Sequence, residues 1–290
     1  MRFVTFRQGQ RVGLGLVDER RGVLDLGAAG LPASMQALVE AGPAVLQSAH
    51  AAADNAAAWR PLASVTLLAP IPWPRKNVFC VGRNYRQHII EMSTAMGREP
   101  SFPKVPEFFS KPATTVVGPE AGVERHARNT GNLDYEVELG VVIGKRVRDI
   151  PAEAALAAVF GYTIINDVTA RDAQRAHAQF FKGKSFDTFC PMGPWIVTAD
   201  EFGDPAGHRL SLTVNGETRQ DSNTSDLLFS VPQIIAALSA SLTLEPGDII
   251  ATGTPSGVAA GMNPPKWLQV GDVVVCTIEG IGALRNRIIE

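Results

Sequence analysis

Asp134-Tyr-Glu136-Val-Glu138-Leu-Gly-Val-Val-Ile143 is the segment in which chemistry is easiest to read. A strand sends alternate side chains to opposite faces, so Asp134, Glu136 and Glu138 share one face, about 6.6 Å apart at each step. Tyr135, Val137, Leu139 and Val141 take the other. Carboxylates that close repel unless a positive charge lies between them. A solvated outer face would carry the same alternation, but this strand runs into Val141-Val-Ile143, which reads as central. A third carboxylate, Asp167, ends the apolar run Thr163-Ile-Ile-Asn-Asp167 just before an expected helix. It is placed either to cap that helix or to join the other carboxylates. Three hard oxygen donors from two strands, completed by waters, make a plausible Mg²⁺ or Mn²⁺ site: Glu136, Glu138 and Asp167. Their excess negative charge calls for a nearby cation, and Phe181-Lys182-Gly-Lys184-Ser offers two lysines.

His88 and Glu91 are three residues apart on an expected helix, so they share a face. A carboxylate beside a histidine fixes its tautomer and raises its basicity, as a general base requires. The other histidines (His50, His126, His177 and His208) show no such pattern and read as structural or surface groups.

These groups need a framework. Residues 1–27 alternate and turn like a small sheet of hairpins. Residues 33–58 are alanine-rich with helical spacing. Gly13 and Gly15 form a lone GxG with no third glycine and no helix behind it, which excludes a dinucleotide fingerprint. Pro70-Ile-Pro72-Trp-Pro74 is a stiff connector. It divides a small α+β module, 1–70, from a main domain, 71–290. In the main domain, strands are expected at 77–81, 134–143, 161–167, 210–214, 248–251 and 272–278. Helices are expected at 85–96, 152–159, 169–180 and 231–239, and a long loop at 97–112. Asn215-Gly216 suits a type I′ hairpin turn. The fold class is therefore α+β and strand-rich, with short helices.

Composition agrees and excludes several functions. The chain has 290 residues, 27 Lys+Arg against 29 Asp+Glu, and a net charge of −2. No basic excess supports general nucleic-acid or anionic-membrane binding. Its 27 glycines and 20 prolines imply many turns and short elements. No apolar run approaches the length of a membrane span, and the first residues lack a signal-peptide pattern. Cys80, Cys190 and Cys276 are too few and too scattered for a disulfide framework or a zinc site. A cytoplasmic location is expected.

From Val81-Gly-Arg-Asn-Tyr85 to the C-terminus the chain resembles the fumarylacetoacetate hydrolase family. The resemblance rests on that motif, Asp134–Leu139, Asn166–Asp172, Gly183-Lys-Ser-Phe-Asp-Thr188 and Thr252-Gly-Thr-Pro-Ser-Gly-Val258. It continues through Pro264-Pro265 with Gly271-Asp272, and Glu279–Asn286. It implies a β-roll, barrel-like catalytic domain around a divalent cation, commonly a homodimer. The cation would be Mg²⁺ or Mn²⁺, with Ca²⁺ an alternative occupant in crystals. The family's metal carboxylates fall on Glu136, Glu138 and Asp167, and its active-site lysine on Lys184 rather than Lys182. Arg83, Tyr85, Arg171, Gln174 and Thr254 fall on substrate-binding positions. His88 and Glu91 match the water-activating pair of the acylpyruvate-hydrolysing branch. Residues 91–103 are longer than the common pattern, where a lid over residues 84–107, hinged near Gly97, would meet the distal end of the substrate.

The resemblance implies a hydrolase that breaks a C–C bond in a 2,4-dioxo acid. The substrate's 2-oxo acid end would chelate the metal, His88 would activate water, and Lys184 would stabilise oxyanion charge. The alternative is an isomerase or decarboxylase of 2-oxo dienedioate or oxaloacetate-type acids in aromatic catabolism, or a ureidoglycolate-type lyase. A non-catalytic carboxylate-binding protein would not need all these groups.

Overall fold

The computed structural model describes residues 1–54 and 59–290. Among the described residues the main sheet has 12 strands. Its order from one edge is Trp59–Arg60, Gly22–Asp25, Arg11–Asp18, Arg2–Gln8, Cys190–Thr198, Val159–Asn166, Val137–Ile143, Ile249–Ala251, Val78–Gly82 and Glu107–Lys111. Thr66–Leu67 and Val116–Val117 pair off this path. A five-stranded sheet runs Glu217–Asn223, Arg209–Val214, Val273–Ile278, Gly282–Ile289, Gly122–Glu124. The architecture is strand-dominated α+β with short helices, as the sequence predicts.

Strand parity explains the two cores. Val137, Leu139, Val141 and Ile143 join Leu210, Leu212, Cys276 and Ile278 of the five-stranded sheet in one buried cluster. Val142 faces the other way and packs with Ile165, Met192, Cys80, Phe3 and Leu38. The Val137–Ile143 strand is buried at every position. It is central, so Glu138 is not on a solvated face.

The proline connector does not interrupt the sheet. Arg2 and Phe3 pair with Val197 and Ile196, which adds residues 2–25 to the sheet of the main domain. The alanine-rich segment forms helices Met35–Ala41 and Pro43–Ala53, and the last expected helical positions, 55–58, lie outside the described residues. No helix among the described residues is long and apolar enough to cross a membrane.

Three local expectations are corrected. The segment 134–143 is two strands, Leu133–Asp134 and Val137–Ile143, because the Glu136 N–H donates to the Asn166 side chain (3.0 Å) and leaves the ladder. The helix expected over 169–180 covers only Arg171–Ala176, since Thr169–Ala170 pairs with Leu133–Asp134 instead. The loop expected over 97–112 contains the strand Glu107–Lys111, which pairs with Val78–Gly82. Asn215-Gly216 turns as predicted, both at positive φ, with Val214 opposite Glu217.

Candidate active site

Register brings the acids together. Val137 pairs with Asn166, so Glu136 and Asp167 meet just past the ends of adjacent strands, and the Asp167 N–H donates to the Glu136 carbonyl (2.9 Å). Glu138 lies one pleat further along. One carboxylate oxygen from each of Glu136, Glu138 and Asp167 lies within 4.8 Å of the others, and all three residues are buried.

Cations surround this trio. The Lys184 Nζ donates to Glu136 Oε2 and Asp167 Oδ2, both at 2.7 Å. Lys184 ends the short helix Phe181–Lys184, which packs closely on the Arg171–Ala176 helix. That approach needs Gly183: a Cβ there would stand 2.6 Å from the Gln174 backbone nitrogen. Arg171 donates through Nε to Asp134 Oδ2 (2.8 Å), through Nη2 to Glu136 Oε1 (2.6 Å) and through Nη1 to Gln174 Oε1 (3.1 Å).

Lys111 is the site residue that sequence reasoning missed. Its side chain is 0% exposed, and its Nζ donates to Asp167 Oδ1 (2.5 Å), the Lys184 carbonyl (2.5 Å) and the Val168 carbonyl (3.2 Å). Proline-framed Glu107-Phe-Phe-Ser-Lys111 hid it among loop residues. Strand parity is the signal that finds it, because Lys111 shares a face with Phe109, which lines the cavity.

Four buried carboxylates, Asp134, Glu136, Glu138 and Asp167, thus face three buried cations, Lys111, Arg171 and Lys184. The imbalance falls on Glu138. Burial, then the charges of Asp167 and Glu136, push its carboxyl well above the usual range, although the Gly253 N–H donates to its Oε2 (2.7 Å). Burial also works against an ionised Glu136, but Lys184 and Arg171 outweigh it and hold that carboxyl down at about 2. Burial opposes the charge on Lys184 too, yet Asp167 and Glu136 raise its pKa overall. A group of buried hard-oxygen donors that is short of positive charge fits a divalent cation.

Above the trio is a cavity of about 460 Å³. His88, Arg171, Gln174, Lys184 and Thr254 line it together with Glu136 and Glu138. His88 is on the helix Arg86–Ala95, and its Nδ1 lies 3.4 Å from Glu91 Oε2. The other Glu91 oxygen accepts the Gly257 N–H (2.8 Å), which pins the pair from outside the helix. Thr254 Oγ1 donates to the Val137 carbonyl (3.0 Å) and accepts from Gln220 Nε2 (2.8 Å), so its hydroxyl is engaged within the protein. Arg83 lines the outer part of the cavity at positive φ, and its guanidinium is tied to Glu107 Oε1 (3.0 Å) and the Ser101 carbonyl.

Tyr85 is not brought to the cavity. It is 1% exposed, sits among the core residues, and its hydroxyl has no hydrogen-bond partner among the described residues. Burial pushes its pKa up. Tyr85→Phe is therefore expected to leave KM unchanged and to hold or raise stability, by up to about 1–2 kcal/mol, because an unpartnered buried hydroxyl is removed. A several-fold rise in KM with unchanged folding would return Tyr85 to the substrate.

The description fumarylacetoacetate (FAA) hydrolase C-terminal matches residues 77–289. The chain belongs to the fumarylacetoacetate hydrolase family. It is 52% identical over 227 residues to the oxaloacetate tautomerase YisK of Bacillus subtilis, covering 78% of this chain and 74% of that one. A mitochondrial oxaloacetate tautomerase of Homo sapiens is 42% identical over 296 residues, covering 100% of this chain and 92% of the relative. Among solved structures, maleylpyruvate hydrolase of Sphingobium sp. SYK-6, in complex with manganese(II) and pyruvate, has a TM-score of 0.80 at 32% identity. That match covers 100% of this chain and 99% of the other. Family membership supports an enzyme, and the two tautomerase relatives support the isomerase alternative better than the hydrolase reading of the sequence.

Proposed function

We propose that the protein is a divalent-cation-dependent isomerase that interconverts the keto and enol forms of a short 2-oxo dicarboxylic acid of the oxaloacetate type. The observation that carries this reading is the buried Glu136–Glu138–Asp167 trio, which with Asp134 sets four carboxylates against three cations, beside a cavity that Glu136, Glu138 and His88 line. The identity to two oxaloacetate tautomerases supports the choice of substrate.

The reaction moves one proton. In the keto-to-enol direction a base takes a proton from C3, the electron pair forms the C2–C3 double bond, and the C2 oxygen gains a proton. Glu136, Glu138 and Asp167 would hold the cation, which as a Lewis acid makes the C3 proton more acidic. Mg²⁺ and Mn²⁺ both suit this oxygen-only donor set. His88 takes the C3 proton, with Glu91 fixing the Nδ1 side of the ring and leaving Nε2 for chemistry. Lys184 offers an ammonium to the charge developing on the C2 oxygen. Arg171 and Gln174 bind the 2-oxo acid end and hold its reacting atoms in place.

A second reading, C–C hydrolysis of a 2,4-dioxo acid, keeps some support from the same His88–Glu91 pair and from the maleylpyruvate hydrolase likeness. In it, His88 takes a proton from water instead. One assay separates the two. Freshly dissolved oxaloacetate and a set of 2,4-dioxo acids are given to the enzyme with Mn²⁺, enol absorbance is followed, and products are identified. Faster decay of the oxaloacetate enol signal, with no carbon lost and no cleavage of dioxo acids, is expected. Stoichiometric cleavage of a dioxo acid, without acceleration of oxaloacetate interconversion, would replace the isomerase reading by the hydrolase one.

A further inference from the structure

The trio has a regularity in how its six oxygens are used. Each carboxylate has one oxygen held by a fixed donor of the protein. Asp167 Oδ1 accepts from Lys111 (2.5 Å), Glu136 Oε1 from Arg171 (2.6 Å) and Glu138 Oε2 from the Gly253 N–H (2.7 Å). None of these donors has slack. Lys111 and Arg171 are 0% and 4% exposed, and each holds other acceptors at the same time. Gly253 sits at φ +102°, where an added Cβ would stand 2.8 Å from Asn84 Cβ. The other three oxygens, Asp167 Oδ2, Glu136 Oε2 and Glu138 Oε1, are the ones a cation would take, two of them from Lys184. The first two already converge on a single cationic atom, Lys184 Nζ, at 2.7 Å each.

The protein therefore supplies three single-oxygen donors and discourages any of the three carboxylates from chelating with both oxygens. Three such donors would leave room for two oxygens of a 2-oxo acid and one water in a set of six. Mg²⁺ demands this small octahedral shell, whereas Ca²⁺ takes roughly six to eight oxygens and often a bidentate carboxylate. We propose that Lys111, with Arg171, sets the metal preference of the site, selecting a small six-coordinate cation against Ca²⁺ by keeping Asp167 and Glu136 one-oxygen donors. Lys111 is a positioning residue: it acts on the cation only through Asp167. This inference rests on the divalent-cation reading above.

The test is a set of calorimetric binding constants, without substrate, for Mn²⁺ and Ca²⁺ on the full-length protein stripped of metal. The proteins are wild type, Lys111→Met and Arg171→Met. The ratio of the two constants is what matters. Both cations carry the same charge, so the loss of a neighbouring positive charge shifts both affinities alike and cancels. Wild type is expected to bind Mn²⁺ at least about tenfold more tightly than Ca²⁺. Each variant is expected to move that ratio toward Ca²⁺ by about 10-fold or more, the scale on which ligand-supporting groups act. Equal shifts for both cations in a folded variant would make its lost partner a counter-charge only and overturn the proposal. So would wild type binding Ca²⁺ as tightly as Mn²⁺, a result that needs no variant to fold. Wild type that binds neither cation would remove the metal reading itself, and the proposal with it.

Discussion

Glu138→Gln is expected to abolish divalent binding and to lower kcat/KM for oxaloacetate interconversion by about 10³-fold or more, equivalent to ~4 kcal/mol of transition-state stabilisation. Among the three carboxylates Glu138 is the cleanest to change. Glu136 also answers Arg171 and Lys184, and Asp167 answers Lys111 and Lys184, so removing either strands buried cations. Glu138 accepts only the Gly253 N–H among the described residues, and a glutamine oxygen can do the same.

The same substitution should stabilise the metal-free protein. Glu138 has a folded-state pKa well above the ordinary carboxyl value, through burial and then its acidic neighbours. Between the two values the unfolded chain has released the proton and the folded chain has not. Metal-free wild type therefore loses stability as pH rises from the ordinary carboxyl range through the raised value. Glutamine removes that loss. At pH 8 without metal, the variant should melt higher than wild type by at least about 2 °C, and the gap should close toward pH 4. Added Mn²⁺ should raise the melting temperature of wild type and leave the variant unmoved. A variant that loses activity and also melts lower than wild type without metal would mean that Glu138 is structural.

His88→Ala is expected to lower kcat by about 10²–10⁴-fold with KM and Mn²⁺ affinity nearly unchanged, since general bases contribute on that scale. The side chain lines the cavity, and among the described residues its one hydrogen bond is to Glu91. Glu91→Gln should cost less, because it leaves the ring in place while weakening its orientation, and its other oxygen bond to Gly257 can persist. Equal loss in both variants, or a lost Mn²⁺ affinity in His88→Ala, would show that the pair shapes the lid rather than acting as a base.

The clustering of the three carboxylates was legible because strand parity and register are local arithmetic. Alternation put Glu136 and Glu138 on one face, and Asp167 closed an adjacent apolar strand. Lys111 was not legible, because its strand sits between Pro106 and Pro112 and gains its identity only by pairing with Val78–Gly82. The shortened helix after Asp167 has a similar cause: the Thr169–Ala170 pairing with Leu133–Asp134 overrides local helical character. Tyr85 shows the limit of a motif. Its neighbour Arg83 turns through positive φ and reaches the cavity, while Tyr85 is driven into the core and becomes the N-cap of the His88 helix. The attachment of the first strand to Cys190–Thr198 spans nearly 200 residues, which no local pattern encodes.

One titration tests the requirement for a divalent cation. Enzyme stripped with EDTA is assayed for oxaloacetate enol–keto interconversion while Mn²⁺ is added back. Activity should be lost on stripping and return in proportion to bound Mn²⁺, saturating near one equivalent per chain, with oxaloacetate recovered intact. Full interconversion by the stripped enzyme, unchanged by Mn²⁺, would contradict the account.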